Sequence, residues 1–208
     1  MPDSTAAIPG IIVTRPHRAD ARRNFDALLA AARDAFNRDG IDVALEDIAR
    51  QAGVGIGTLY RNFPTRSDLV EAVYVSEIEE LLQAARDATE REPWDALETW
   101  LRRFSGYVAT KLAMLQGLNK DSEMFRACRA AMYDAASPLY ERAQAAGEVR
   151  TDTSLDDVLR LVSGVTASHY ESDEQRERVL ALALDAIRTP PAAAAGPSSP
   201  GPLPTTSL

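Results

Sequence analysis

One cysteine and two histidines among 208 residues exclude several chemistries at once. Cys128 has no second thiol to form an intrachain disulfide, and His17 and His169 beside it cannot build a dedicated structural zinc site. Long apolar runs are missing too. The stretch "VLALALDAI" (179–187) falls far short of the roughly 20 residues a bilayer-spanning helix needs. Near the start, the positive charges follow the small apolar patch, the reverse of a secretory signal. A cytoplasmic protein with no membrane partner is the expectation. No strand pattern competes with the helical one, and no repeat of fixed period is visible. Paired carboxylates, a Ser/His/Asp set and a nucleotide loop are lacking. "GVGIG" (53–57) is glycine-rich but lies between two helical patterns, not after a strand. No catalytic residue, cofactor or metal is expected.

The net charge of −8 at first argues against a nucleic-acid partner, but its distribution matters more than its sum. Residues 1–70 hold nine arginines against nine acids, and the excess of acid lies in the remainder. Arg15, Arg18, Arg22 and Arg23 cluster within nine positions that contain one acid, Asp20. Such a cluster reads either as a solvated arm or as a basic leading edge for phosphate.

Apolar spacing of three and four predicts an all-α chain. Residues 1–17, with Pro2, Pro9, Gly10 and Pro16, read as a flexible arm. Helices are predicted over about 20–39, 45–52, 55–62, 66–85, 94–116, 121–136, 155–168 and 173–188, with Ser137-Pro138 opening a further segment to Ala146. Gly40, Gly53 and Gly117 serve as stops. Thr65 is placed to cap the helix after Pro64, with Asp68 at its third position, and Asp152 or Ser154 to cap a later one. The segment 189–208, with six prolines and no apolar periodicity, is expected to be a disordered tail.

The informative stretch is "LEDIARQAGVGIGTLYRNFPTRSDL" (45–69). Two helices of seven or eight residues joined by "GVG" are too short to stand alone and must be held by their neighbours. Gly53 permits the left-handed backbone of a tight turn. This is the spacing of a helix-turn-helix, whose second helix enters the major groove. Ile56, Gly57, Thr58, Arg61 and Asn62 are expected on its outer face, with no acid to repel phosphate. Tyr60, Asn62 and Arg66 are placed for phosphate contacts, and Thr58 and Arg61 for base edges.

The run 22–74, with "IARQAGVGIGTLYRNF" at its centre, resembles the DNA-binding domain of the TetR/AcrR family of transcriptional regulators. The matching residues include Ile48, Ala49, Ala52, Gly53, Val54, Gly57, Thr58, Leu59, Tyr60, Phe63, Arg66 and Leu69. Residues 141–164 are similar to members with an SbtR-like C-terminal domain. The resemblance implies a three-helix DNA-binding domain over 18–65, with Arg22 and Arg23 at its leading edge, and a helical ligand-binding and dimerisation domain over 66–188. It implies a ligand-responsive repressor that binds a palindromic operator in double-stranded DNA as a homodimer. An all-helical enzyme and a protein-binding adaptor are the alternatives. Ala44 stands where the family usually has a capping Ser or Thr, and Asn62 where many relatives have His.

The homodimer would use the last two helices. Leu155, Val158, Leu159, Val162 and Val165 form one expected interface stripe, and Val179, Leu180, Ala183, Leu184 and Ile187 the other. A small, apolar effector is expected between the middle helices. Trp100, Tyr107 and Met114 recur every seven residues, with Phe104 beside them, and Met124, Phe125, Met132, Tyr133 and His169 complete the expected wall. The helix over 66–85 would couple the two parts.

Overall fold

The computed structural model describes Ile8 and residues 15–189, so the arm expected over 1–17 and the tail over 189–208 fall almost wholly outside it. Eight helices follow in order: α1 (Ala19–Asp39), α2 (Leu45–Gln51), α3 (Ile56–Asn62), α4 (Arg66–Asp87), α5 (Pro93–Met114), α6 (Glu123–Ala145), α7 (Leu155–Thr166) and α8 (Asp173–Ile187). No strand forms among the described residues. One antiparallel bridge, Val149 to Arg188, fastens the end of α8 to the turn after α6.

Why the chain stops where it does is legible in its caps. Thr65 accepts from the Asp68 N–H while Asp68 accepts from the Thr65 N–H, closing a capping box on α4. Ser154 and Asp157 repeat the device on α7; Asp152 instead pairs with Arg150. Ser122 and Ser172 cap α6 and α8. Pro93 opens α5, whose Trp94 N–H donates to Glu148 Oε2 at 2.8 Å. Gly40 and Gly53 adopt φ of 77° and 69°, the left-handed region that ends α1 and turns α2 into α3.

One expectation fails. No new segment starts at Pro138, because α6 runs through it. Proline removes one N–H donor and so orphans one carbonyl, that of Asp134. Both residues are exposed, so water can satisfy that oxygen. Ser137 Oγ also donates to the Tyr133 carbonyl at 2.9 Å, steadying the same turn.

Packing places α4 at the centre, against α1, α5 and α6. Phe25, Leu28, Leu29, Ala32 and Phe36 of α1 meet Leu45 and Ile48 of α2 and Leu59 of α3, and all are buried. Phe25 and Phe63 stack obliquely, with centroids 5.1 Å apart. Burying an apolar side chain of this size contributes about 1.5–3 kcal/mol. That packing, not helix propensity, holds the two seven-residue helices. Behind them, α5, α6 and α7 surround Trp100, Leu101 and Met114, all buried in the core.

Candidate functional site

The short helix α3 is built outward from one anchor. Leu59 is fully buried, and Val54 in the preceding turn packs on the same core. Gly57, Tyr60 and Arg61 are exposed, and the segment carries no acidic residue. Thr58 Oγ1 accepts from Arg61 Nη2 at 2.8 Å, and Asn62 Nδ2 donates to the Thr58 carbonyl at 2.8 Å. These bonds link Thr58, Arg61 and Asn62 along one side of a helix that has only two turns. Ile56, Thr58 and Asn62 depart in part from the expected outer face: all three are half-buried, and Ile56 rests on the core edge.

A side chain at Gly57 would meet nothing within 4 Å. Intramolecular packing therefore gives no reason for glycine there, although glycine disfavours a helix by roughly 1 kcal/mol relative to alanine.

Two arginines are corrected. Arg66 was expected on phosphate but turns inward. Its Nη1 donates to the carbonyls of Ile41 (2.5 Å) and Val43 (2.6 Å), which clamps the α1–α2 loop to the start of α4. Those carbonyls belong to a loop and lack helical partners, so a half-buried charged donor satisfies them. Arg15 likewise leaves the basic cluster, with Nη2 2.7 Å from Glu79 Oε2 on α4. Arg22 and Arg23 stay on the exposed first turns of α1, where Arg23 pairs with Asp20.

Ala44, the residue before α2, provides no side-chain cap. Ala44→Ser should therefore stabilise the fold by about 1 kcal/mol. Urea unfolding checks this. The same hydroxyl adds a donor at the start of α2, so operator affinity should rise and not fall.

In the second half, a cavity of about 590 Å³ opens between α4, α5, α6 and α7. Phe104, Tyr107, Phe125, Met132 and Tyr133 of the expected set line it. Trp100, Met114, Met124 and His169 do not. Trp100 and Met114 are core, and the indole Nε1 donates to the Leu81 carbonyl at 3.1 Å. Met124 lies against Cys128, and His169 is exposed beyond the end of α7. Burial pushes the Cys128 thiol up to about 12, so it stays protonated. Sequence reasoning missed Tyr74, Lys111, Arg129, Asp156 and Arg160 on the wall. Tyr74 and Tyr107 meet hydroxyl to hydroxyl at 3.3 Å, and burial pushes Tyr107 up to about 12. The Tyr133 hydroxyl, then Arg160, holds the Asp156 carboxyl below the usual range.

Burial within the subunit divides the expected dimer stripes. Val158, Leu159, Val162, Leu180, Ala183, Leu184 and Ile187 are buried within their own subunit, and Leu155, Val165 and Val179 are half-buried. The strongest apolar stripe of a helix is claimed first by the nearest core. What remains outside is Leu161 on α7 and Leu182 on α8, 41% and 67% exposed.

A seven-residue outward helix on a three-helix unit, joined to a larger helical body, defines a helix-turn-helix transcriptional regulator. The sequence model "Bacterial regulatory proteins, tetR family" matches residues 28–73, and "Transcriptional regulator SbtR-like, C-terminal domain" matches residues 92–189. A TetR transcriptional regulator from Streptomyces coelicolor is 39% identical, with 80% of this chain and 99% of that chain covered and a TM-score of 0.69. A TetR regulatory protein from Mycobacterium vanbaalenii is 32% identical, with 84% and 100% covered and a TM-score of 0.66. The chain belongs to the TetR family of transcriptional regulators. An HTH-type transcriptional regulator of Staphylococcus aureus is 38% identical over 53 residues, which is 25% of this chain and 29% of that protein. With that curated relative the likeness is thus confined to one part. No helix among the described residues is long and apolar enough to cross a membrane.

Proposed function

We propose that this chain is a cytoplasmic repressor that binds a palindromic operator as a homodimer and releases it when a small molecule fills the α4–α7 cavity. The observation that carries the DNA contact is the outer side of α3. It is short, free of acid, edged by Thr58, Tyr60 and Arg61, and open at Gly57. Thr58 and Arg61 face base edges, whereas Tyr60 and Asn62 meet phosphate, with Arg22 and Arg23 at the flank. A dimer supports this use, since two such helices about 34 Å apart reach successive major grooves. Leu161 and Leu182 supply an apolar patch for the second copy.

Selection from a random duplex pool tests the reading. Bound sequences should converge on an inverted repeat, and affinity should fall steeply as salt rises. Failure to retain any duplex at low ionic strength would sink it.

Coupling between cavity and α3 has a physical route. Leu112 and Leu115 line the cavity at the end of α5. Gly117 follows, and a Cβ there would lie 3.2 Å from Val70 of α4 and 3.3 Å from Ile41 of the α1–α2 loop. Ile41 is the residue whose carbonyl Arg66 holds. A shift of the α5 end thus reaches the DNA-binding unit in one contact. Gly117→Ala should press on that contact, lower stability by about 1 kcal/mol and change operator affinity by roughly threefold or more. Melting and fluorescence-anisotropy titration check it. Lost stability with unaltered affinity would make Gly117 a packing residue only.

A further inference from the structure

This inference rests on the effector reading and narrows it. The cavity wall is aromatic in body but cationic in charge: Lys111, Arg129 and Arg160 face one carboxylate, Asp156, in a chain whose net charge is −8. Asp156 is already occupied, accepting from the Tyr133 hydroxyl at 2.6 Å and from Arg160 Nε at 2.5 Å. Among the described residues, neither Lys111 nor Arg129 forms an ion pair with a carboxylate of its own. The Lys111 ammonium sits 5.0 Å from the Phe125 ring centroid and 5.9 Å from that of Tyr107, and the Arg129 guanidinium lies 5.5 Å over Tyr133.

Lys111 is an exception to how this chain treats its cations. Half-buried Arg15, Arg33, Arg102 and Arg103 pair with carboxylates. Arg66 and Arg142 donate to backbone carbonyls, and Arg150 donates to Asp152. Lys111 alone of the half-buried cations among the described residues meets only ring faces. It is also one of just two lysines in the sequence. A partly desolvated ammonium without a counter-ion is unfavourable, so folding alone gives no reason to keep it. Burial, then Arg129 and Lys120, holds it below its ordinary pKa, which an incoming anion would reverse.

We propose that the effector is an organic acid: an aromatic or aliphatic body against Phe104, Tyr107 and Met132, with its carboxylate between Lys111 and Arg129. The Tyr74 and Tyr107 hydroxyls, kept protonated by burial, are further donors on the same wall. The apolar lining provides contact area, and the two cations select charge.

Calorimetry on the full chain with three probes of one body tests this: 1-naphthylacetate, 2-(1-naphthyl)ethanol and 2-(1-naphthyl)ethylammonium. The carboxylate should bind roughly tenfold or more tighter than the alcohol, and the ammonium weakest of all. Lys111→Met should erase the preference for the acid while leaving the alcohol unchanged, and Lys111→Arg should restore much of it. Ala167→Trp, at the cavity rim, should weaken all three. Equal affinity for acid and alcohol, or an acid preference that survives Lys111→Met, overturns the charge inference. In that case, sensitivity to Ala167→Trp leaves the effector cavity standing. Binding that Ala167→Trp does not touch, or no binding at all, overturns both.

Discussion

Gly57→Ala is expected to stabilise the free protein while weakening its hold on DNA. The two effects arise on different links of the chain from sequence to function. Within the subunit, a methyl group at position 57 meets nothing within 4 Å. It restricts the unfolded chain and suits a helix better, which should raise stability by about 0.5–1 kcal/mol. At the groove, the same methyl group occupies the space through which α3 approaches the bases. Displacing the helix should loosen the contacts of Thr58 and Arg61 together, lowering operator affinity by about tenfold or more. Urea unfolding and operator titration, run on the same preparation, read the two signs. If affinity were kept while stability rose, α3 would not be the reading helix.

Leu182→Glu should produce the second large effect. Leu182 is the most exposed large apolar residue among those described, and Leu161 lies on the neighbouring helix. A carboxylate there leaves the subunit's own packing alone, because Leu180, Ala183 and Leu184 carry that role from the other side of α8. In a symmetric dimer the substitution is made twice and meets an apolar face, so the partner copy should dissociate. Losing the second half-site should then reduce affinity for an inverted repeat by about 10²–10⁴-fold. Binding to a single half-site should change little. Sedimentation velocity and operator titration decide the matter. A variant that stayed dimeric would move the interface elsewhere.

How far the sequence led depended on how local the cause was. Each helix of α1–α5 lies within a few residues of its predicted span, because periodic apolar spacing and glycine stops act over a few positions. The Thr65 cap was equally readable, and that of α7 was narrowed to Asp152 or Ser154, since a capping box spans four residues. Arg66 was not. Its partners, the carbonyls of Ile41 and Val43, lie more than twenty positions earlier, and only the packing of α1 on α4 brings them near. The cavity shows the same limit. A search for Met and aromatic residues found Phe125 and Met132, but it also swept in Trp100 and Met114, which fill the core. It overlooked Lys111, although its place one turn after Tyr107 was visible. The α7 and α8 stripes show it once more: most of the apolar face satisfied its own subunit, and the leucines left off it, Leu161 and Leu182, are the ones proposed for a second copy.

The clamp at Arg66 has a mechanical consequence. Arg66, the first residue of α4, holds the α1–α2 loop through two carbonyls, so the three-helix unit should turn with α4 instead of swivelling on a loose joint. The helix has 22 residues and is thus a stiff lever arm of about 33 Å. Pivoting it by about 5° around its C-terminal end would carry the tip through about 3 Å, close to the height of one base-pair step. On the proposed reading, that arm would amplify a sub-ångström adjustment around a bound molecule enough to put two grooves out of reach, with every helix still intact.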